Sequence, residues 1–222
     1  VQRLIQSGQP VYCAAPRGRS FALTFDDGPS PYTTQIVRVL RRAHARATFF
    51  DIGSRIAFWP AAARASTTVG EIGNHTWTHA HLLSLSPTAT RHELVWTQRT
   101  IGRALGTTPR LFRPPYAEAD SADDLLAREL DLLDVRWSVD SGDSRVGATR
   151  QSVTRAALAG LRPGAIILLH DPHPTTPGVA RAVLRAAARK GLHAVTVSTL
   201  LERQPPDAAQ LAGAGTSRCP PP

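Results

Sequence analysis

Residues 20–53 read SFALTFDDGPSPYTTQIVRVLRRAHARATFFDIG: an apolar run, an amphipathic run and a second apolar run. SFALTFDD has the aromatic and β-branched content of a strand. TTQIVRVLRRAHA repeats apolar residues three and four apart, as a helix capped by Thr33 or Thr34 does, and ATFFDIG returns to strand. Outward from this unit the alternation continues. WPAAARAS reads as helix, TVGEIGNHT as a short strand with its loop, and TATRHELVWTQRTIGRAL as the longest helix. RLFRPPY is a strand stopped by two prolines, SADDLLARELDL a helix and LLDVRWSVD a strand. TRQSVTRAALAGL, GAIILLHD, GVARAVLRAAARKG and HAVTVSTLL complete about seven β/α units, without internal repeats. Strands separated by such helices imply an α/β fold with a parallel sheet, closed or nearly closed into a barrel; a doubly wound open sheet is the competing architecture.

The chain of 222 residues suits one well-buried domain. No apolar run approaches the roughly 18–20 residues that span a bilayer. The chain begins at Val1 and contains no Met, as expected of a processed protein whose signal peptide has gone. The formal charge is +9, and Lys190 is the one lysine among 26 basic residues. The arginines are scattered, form no basic run with interleaved aromatics and accompany no nucleic-acid motif; such a field suits an anionic cell wall or simply a solvated surface. Cys13 and Cys219 stand near the two ends. A disulfide between them would staple the tail to the N-terminal segment and place the protein in an oxidising, extracytoplasmic compartment; two free thiols are the alternative. After Leu201 the periodicity stops. Residues 1–18 read as an N-terminal extension, 19–202 as the domain and 203–222 as an irregular tail.

The polar residues fall at strand ends. Asp26 and Asp27 end the first strand, HTWTH the third, RPPY the fourth, DSGD the fifth and LLHD the sixth. Carboxyl ends are where parallel sheets bind ligands, so five runs converge on one face. Adjacent Asp residues before Gly-Pro read locally as a turn. His75 and His79, four apart, can present two imidazoles to one ion, and an Asp from a neighbouring strand would supply a third ligand. Three protein ligands with a fourth position left to water describe a catalytic zinc site, which polarises a carbonyl and acidifies water.

TFDDGP, HTWTH, RPPY, DSGD and LLHD, in this order, resemble the five motifs of the carbohydrate esterase family 4 polysaccharide deacetylases, the NodB-like domain, over roughly residues 19–201. The resemblance implies a distorted (β/α) barrel that removes acetyl groups from N-acetylated sugars, or O-acetyl groups from xylan, with one divalent metal, zinc or else cobalt or nickel. It makes Asp27, His75 and His79 the ligands, Asp26 the base and His170 the general acid. Arg113 holds the base, Asp143 tunes His170, the Tyr116 N–H stabilises the oxyanion, and Leu168 lines the pocket for the acetyl methyl. The chain departs from the family pattern at Ser144, where Trp is usual, and at Ala117, where Gly is common. Trp77, inside the metal-binding turn, is a candidate to stack on a sugar ring, and His173 lies near the pocket rim.

The chemistry fits these roles. Amide hydrolysis needs an activated water, charge stabilisation and a proton for the departing amine. The expected protein is a secreted or cell-wall-associated monomer acting on acetylated chitooligosaccharide or peptidoglycan, with acetyl-xylan esterase as the alternative. Two other readings are weaker. A non-haem Fe(II) oxygenase, which also uses two His and a carboxylate, is expected on an all-β scaffold. A non-catalytic carbohydrate-binding module would not need Asp26 and His170.

Overall fold

The structure, a computed structural model, describes residues 1–212 and Cys219. Its strands are β1 (Ser20–Gly28), β2 (Ala47–Asp51), β3 (Gly70–Asn74), β4 (Leu111–Phe112), β5 (Leu133–Asp134), β6 (Val139–Asp140), β7 (Ile166–His170) and β8 (His193–Val195). Seven lie in the order β5-β4-β3-β2-β1-β7-β6, and β8 pairs with the start of β1. Every pairing is parallel. The sheet curls into a distorted (β/α) barrel, left unpaired between its edge strands β5 and β6.

Alternation along β1 separates the two faces of the sheet. Phe21, Leu23 and Phe25 pack outward with Phe49, Ile167 and Leu169 against the surrounding helices. Each of these six side chains is fully buried, contributing about 2–3 kcal/mol apiece. Ala22 faces inward with Phe50, Leu111, Leu133, Val135 and Ile166. Thr24 and Asp26 share that inner face, so small and polar groups leave room for one large side chain within the barrel.

The segment LLDVRWSVD, expected to be a single strand, instead forms two: β5 pairs with β4 at one edge and β6 with β7 at the other. Residues 135–138 cross the gap between the edges. The Val11 N–H donates to the Asp134 carbonyl at 2.9 Å, and the Arg136 N–H donates to the Val11 carbonyl at 2.8 Å. The crossing residues thus find their partner in the N-terminal segment, which begins with a helix at Gln2–Ser7 and buries Ile5 and Val11.

Two local expectations are also corrected. The helix Thr33–Arg42 has Tyr32 at its N-cap and no side-chain cap. Thr33 Oγ1 is occupied elsewhere, accepting from the Ser30 N–H at 2.8 Å and contacting both carboxylate oxygens of Asp171 at 2.8–2.9 Å. HAVTVSTLL is strand only to Val195; Thr196 then caps the helix Val197–Arg203 by accepting from the Thr199 N–H.

Cys13 and Cys219 are disulfide-bonded, with Cα atoms 6.0 Å apart across a sequence separation of 206. The expectation of an irregular tail over 203–222 falls partly on residues 213–218 and 220–222, outside the described residues; Ala208–Ala212 is helical. Among the described residues no helix is long and apolar enough to cross a membrane.

Candidate active site

The adjacent carboxylates of β1 point to different tasks because the backbone turns between them. Asp26 keeps strand geometry and enters the barrel, whereas Asp27 adopts φ 66°, in the left-handed region. Gly28 follows because nothing larger fits: a Cβ there would lie 2.6 Å from Asp51 Oδ1 and 3.2 Å from Asp171 Oδ2.

Asp26 receives Arg113. This guanidinium is fully buried, and its Nη1 donates to Asp26 Oδ1 at 2.7 Å and to Thr24 Oγ1 at 2.8 Å. Nε and Nη2 donate to the carbonyls of Val135 and Arg136 at 2.8 and 3.0 Å. Phe50 lies beneath it, 4.1 Å from the ring centroid. The rigid fork therefore fixes the carboxylate and simultaneously satisfies the segment that closes the barrel.

Asp27 faces two imidazoles. Its Oδ1 lies 3.2 Å from His75 Nε2 and 3.1 Å from His79 Nε2, yet this buried atom has no hydrogen-bond partner. His75 Nδ1 is 2.6 Å from the Arg113 carbonyl, which only accepts, so Nδ1 bears the proton and Nε2 presents its lone pair. An anionic oxygen and two ring nitrogens gathered at this distance become favourable only around a cation. Asp27, His75 and His79 thus fit a metal ion, each offering one ligand atom.

The turn carrying both histidines is not helical. Thr76 and His79 both have φ 63°. Glu93, on the helix Pro87–Leu105, accepts from the N–H groups of Trp77 and Thr78 at 2.8 Å and from Thr78 Oγ1 at 2.9 Å. Such backbone outliers cluster where surrounding contacts over-determine them.

His170 ends β7 as the register partner of Asp26. Asp143 clamps it twice: Oδ1 lies 2.7 Å from Nδ1, and Oδ2 accepts the backbone N–H at 2.7 Å. Nε2 is the nitrogen left to hand a proton across the site. Burial lowers the pKa of the His170 imidazolium, but Asp143, with Asp26 and Asp27 beyond, prevails and raises it to about 9.

A cleft of about 280 Å³ joins these groups. It is lined by Asp26, Asp27, His75, His79, Tyr116, Leu168 and His170, together with Pro114, Trp137, Asp140, Ser144 and His173. Arg113 and Asp143 lie behind that lining. Trp77 is not among the lining residues; its ring meets Trp96 edge-on, with centroids 6.1 Å apart. Sequence reasoning passed over Trp137, three residues before Asp140, because only the crossing of 135–138 between the sheet edges brings it to the cleft. Glu93 carried no readable signal, being separated from its turn by more than a dozen residues.

A carboxylate and two imidazoles at the carboxyl end of a parallel barrel, beside a clamped acid–base pair, make up a metallohydrolase-type centre. The chain belongs to the polysaccharide deacetylase family, whose model matches residues 14–134. It is 40% identical over 177 residues to a chitooligosaccharide deacetylase of Bradyrhizobium, covering 77% of this chain and 78% of that one. It is 33% identical over 193 residues to the peptidoglycan-N-acetylglucosamine deacetylase of Listeria monocytogenes, covering 86% of this chain but 41% of the relative. The chain therefore spans about two fifths of that longer protein's length. A family 4 carbohydrate esterase from Streptomyces lividans, solved in complex with acetate, superimposes with a TM-score of 0.75 at 34% identity, over 80% of this chain and 92% of that one.

Proposed function

We propose that this protein hydrolyses acetyl groups from N-acetylglucosamine residues of peptidoglycan or chitooligosaccharide. The observation that carries the reading is the register pairing of Asp26 with His170 beside the Asp27–His75–His79 cluster: a base and an acid flank a place where a carbonyl can be held. The names of the two sequence relatives support the choice of sugar.

When bound, a divalent ion, zinc in this reading with cobalt or nickel as substitutes, supplies Lewis acidity to the acetyl carbonyl and to water. Asp26, fixed by Arg113, accepts the proton of the attacking water. The Tyr116 N–H donates to the oxygen that becomes negative. His170 Nε2 then gives its proton to the leaving amine, and Asp143 keeps the ring charged until that moment. Leu168, buried at the cleft wall, receives the methyl. Stacking on a sugar falls to Trp137 or Tyr116, which line the cleft, rather than to Trp77.

Residues 19–202 are the catalytic unit in this reading, with 1–18 and 203–222 flanking it. The disulfide supports a secreted or wall-associated location, and a monomer is the state this reading assumes.

Acetate release from chitooligosaccharides, peptidoglycan and acetylated xylan, each with added zinc or cobalt and after chelation, tests the proposal. Release from an N-acetylated substrate, abolished by chelation and restored by metal, is expected. Release from xylan alone would transfer the activity to esters. No release from any substrate by metal-loaded protein would overturn the reading.

A further inference from the structure

Tyr116 and Ala117 form a strained pair. Both are non-glycine residues in the left-handed region, at φ 58° and 60°, and both are exposed, so no burial of their own side chains holds them there. Tyr116 nevertheless lines the cleft, and its hydroxyl lies 3.2 Å from His79 Nδ1. The Glu118 N–H closes the turn on the Pro115 carbonyl at 3.0 Å and the Tyr116 ring stacks on His81 at 3.8 Å, but the Ala117 carbonyl must be held from outside the turn.

Arg136 supplies that contact. It is 6% exposed and lies on the segment that closes the barrel. Its Nη1 donates to the Ala117 carbonyl, while Nε donates to both carboxylate oxygens of Asp134 at 2.8 and 2.9 Å. Residues 134 and 136 are two apart in extended chain, so their side chains share a face. Asp134 is 4% exposed, and it orients the guanidinium as a planar fork does best. The Arg136 carbonyl accepts from Arg113 Nη2 at 3.0 Å on the inner side of the same segment. One residue thus touches both the group that holds Asp26 and the turn that carries Tyr116.

We propose that Arg136 is a positioning residue that locks the Tyr116–Ala117 turn in its left-handed conformation and so aims the Tyr116 N–H into the cleft. The inference rests on the deacetylase reading for its kinetic consequence but not for its structural one.

Arg136→Met should lower kcat on an N-acetylated chitooligosaccharide by about 10–100-fold, the loss expected of one hydrogen bond to a charged group. KM and bound metal should be unchanged, because the interaction matters most as charge develops on the oxygen. Hydrogen exchange at the Glu118 amide, which closes the turn on the Pro115 carbonyl at 3.0 Å, should quicken while β1 and β7 stay protected. Adding Ala117→Gly, which makes the left-handed conformation inexpensive, should recover part of the lost kcat. If Arg136→Met does not fold, Arg136→Lys keeps a cation beside Asp134 without the fork and should show the same split at smaller size. Unaltered exchange at the Glu118 amide, loss of protection spread across β1 and β7, or a lysine variant equal to wild type would each overturn the proposal. Exchange is read without turnover, so a wild-type protein inactive on every acetylated sugar would refute the deacetylase reading while leaving the positioning role to be judged on exchange alone.

Discussion

Replacing the Asp26 carboxylate by an amide keeps its shape and removes its ability to accept a proton. Asp26→Asn should therefore retain the metal while losing turnover by several orders of magnitude, checked by metal analysis beside acetate release; loss of the ion instead would mean that Asp26, not Asp27, is the ligand. His170 offers a pH test. Its raised pKa, about 9, keeps the imidazolium available at neutral pH, so activity that needs the acid form falls as pH rises through that value. Asp143→Asn removes the main group holding the pKa up. The alkaline limb of kcat/KM should then move to lower pH, and an unmoved limb would show that Asp143 does not tune His170. At this scale the sequence was legible for residues that line the cleft, because Asp26, Asp27, His75, His79 and His170 sit in short runs of unusual composition. The contacts of Arg113 with Asp26 and of Asp143 with His170 were expected from the motifs and are present, but the supports behind them were not legible. Glu93 and Arg136 each act through a hydrogen bond to a backbone that is near only after folding, and such bonds leave no pattern in the chain.

The strands divide in the same way. β1 and β7 could be read because a strand covered on both faces is apolar throughout, and their parallel register follows from the helices between them. The stretch 133–140 could not, since its composition is uniformly strand-like while its two ends belong to opposite edges of the sheet. What decides the split is pairing, a property of the partners. Arg113 is the side chain on which this closure depends, with donors to the carbonyls of Val135 and Arg136 as well as to Asp26. Arg113→Met should cost about 3–5 kcal/mol, the usual penalty for leaving a buried charge and its acceptors without a partner. Denaturant unfolding measures it, and a loss below 1 kcal/mol would place Arg113's role in catalysis alone. The His75–His79 turn shows a further limit: a spacing of four suggested neighbouring side chains correctly, but the turn reaches that geometry through left-handed residues rather than a helix.

Over the whole molecule, the barrel's regular part was legible from the alternation of apolar and amphipathic runs, whereas the anchoring of the N-terminal segment was not, because Val11 gains its meaning only from Asp134 and Arg136. The Cys13–Cys219 bond secures that segment covalently. Cys13→Ser should lower stability by about 2–5 kcal/mol, mainly by freeing the unfolded chain; a melting temperature equal to that of the oxidised parent would show that the bond contributes nothing. The same bond turns residues 13–219 into a covalent ring. A ring cut once remains one molecule, so a protease that opens the exposed stretch around Val146, on the far side of the cleft wall from the disulfide in sequence, releases no fragment. Nicked protein should migrate on a denaturing gel as a single species without reductant and as two pieces with it, so a first cleavage leaves the protein one covalent molecule.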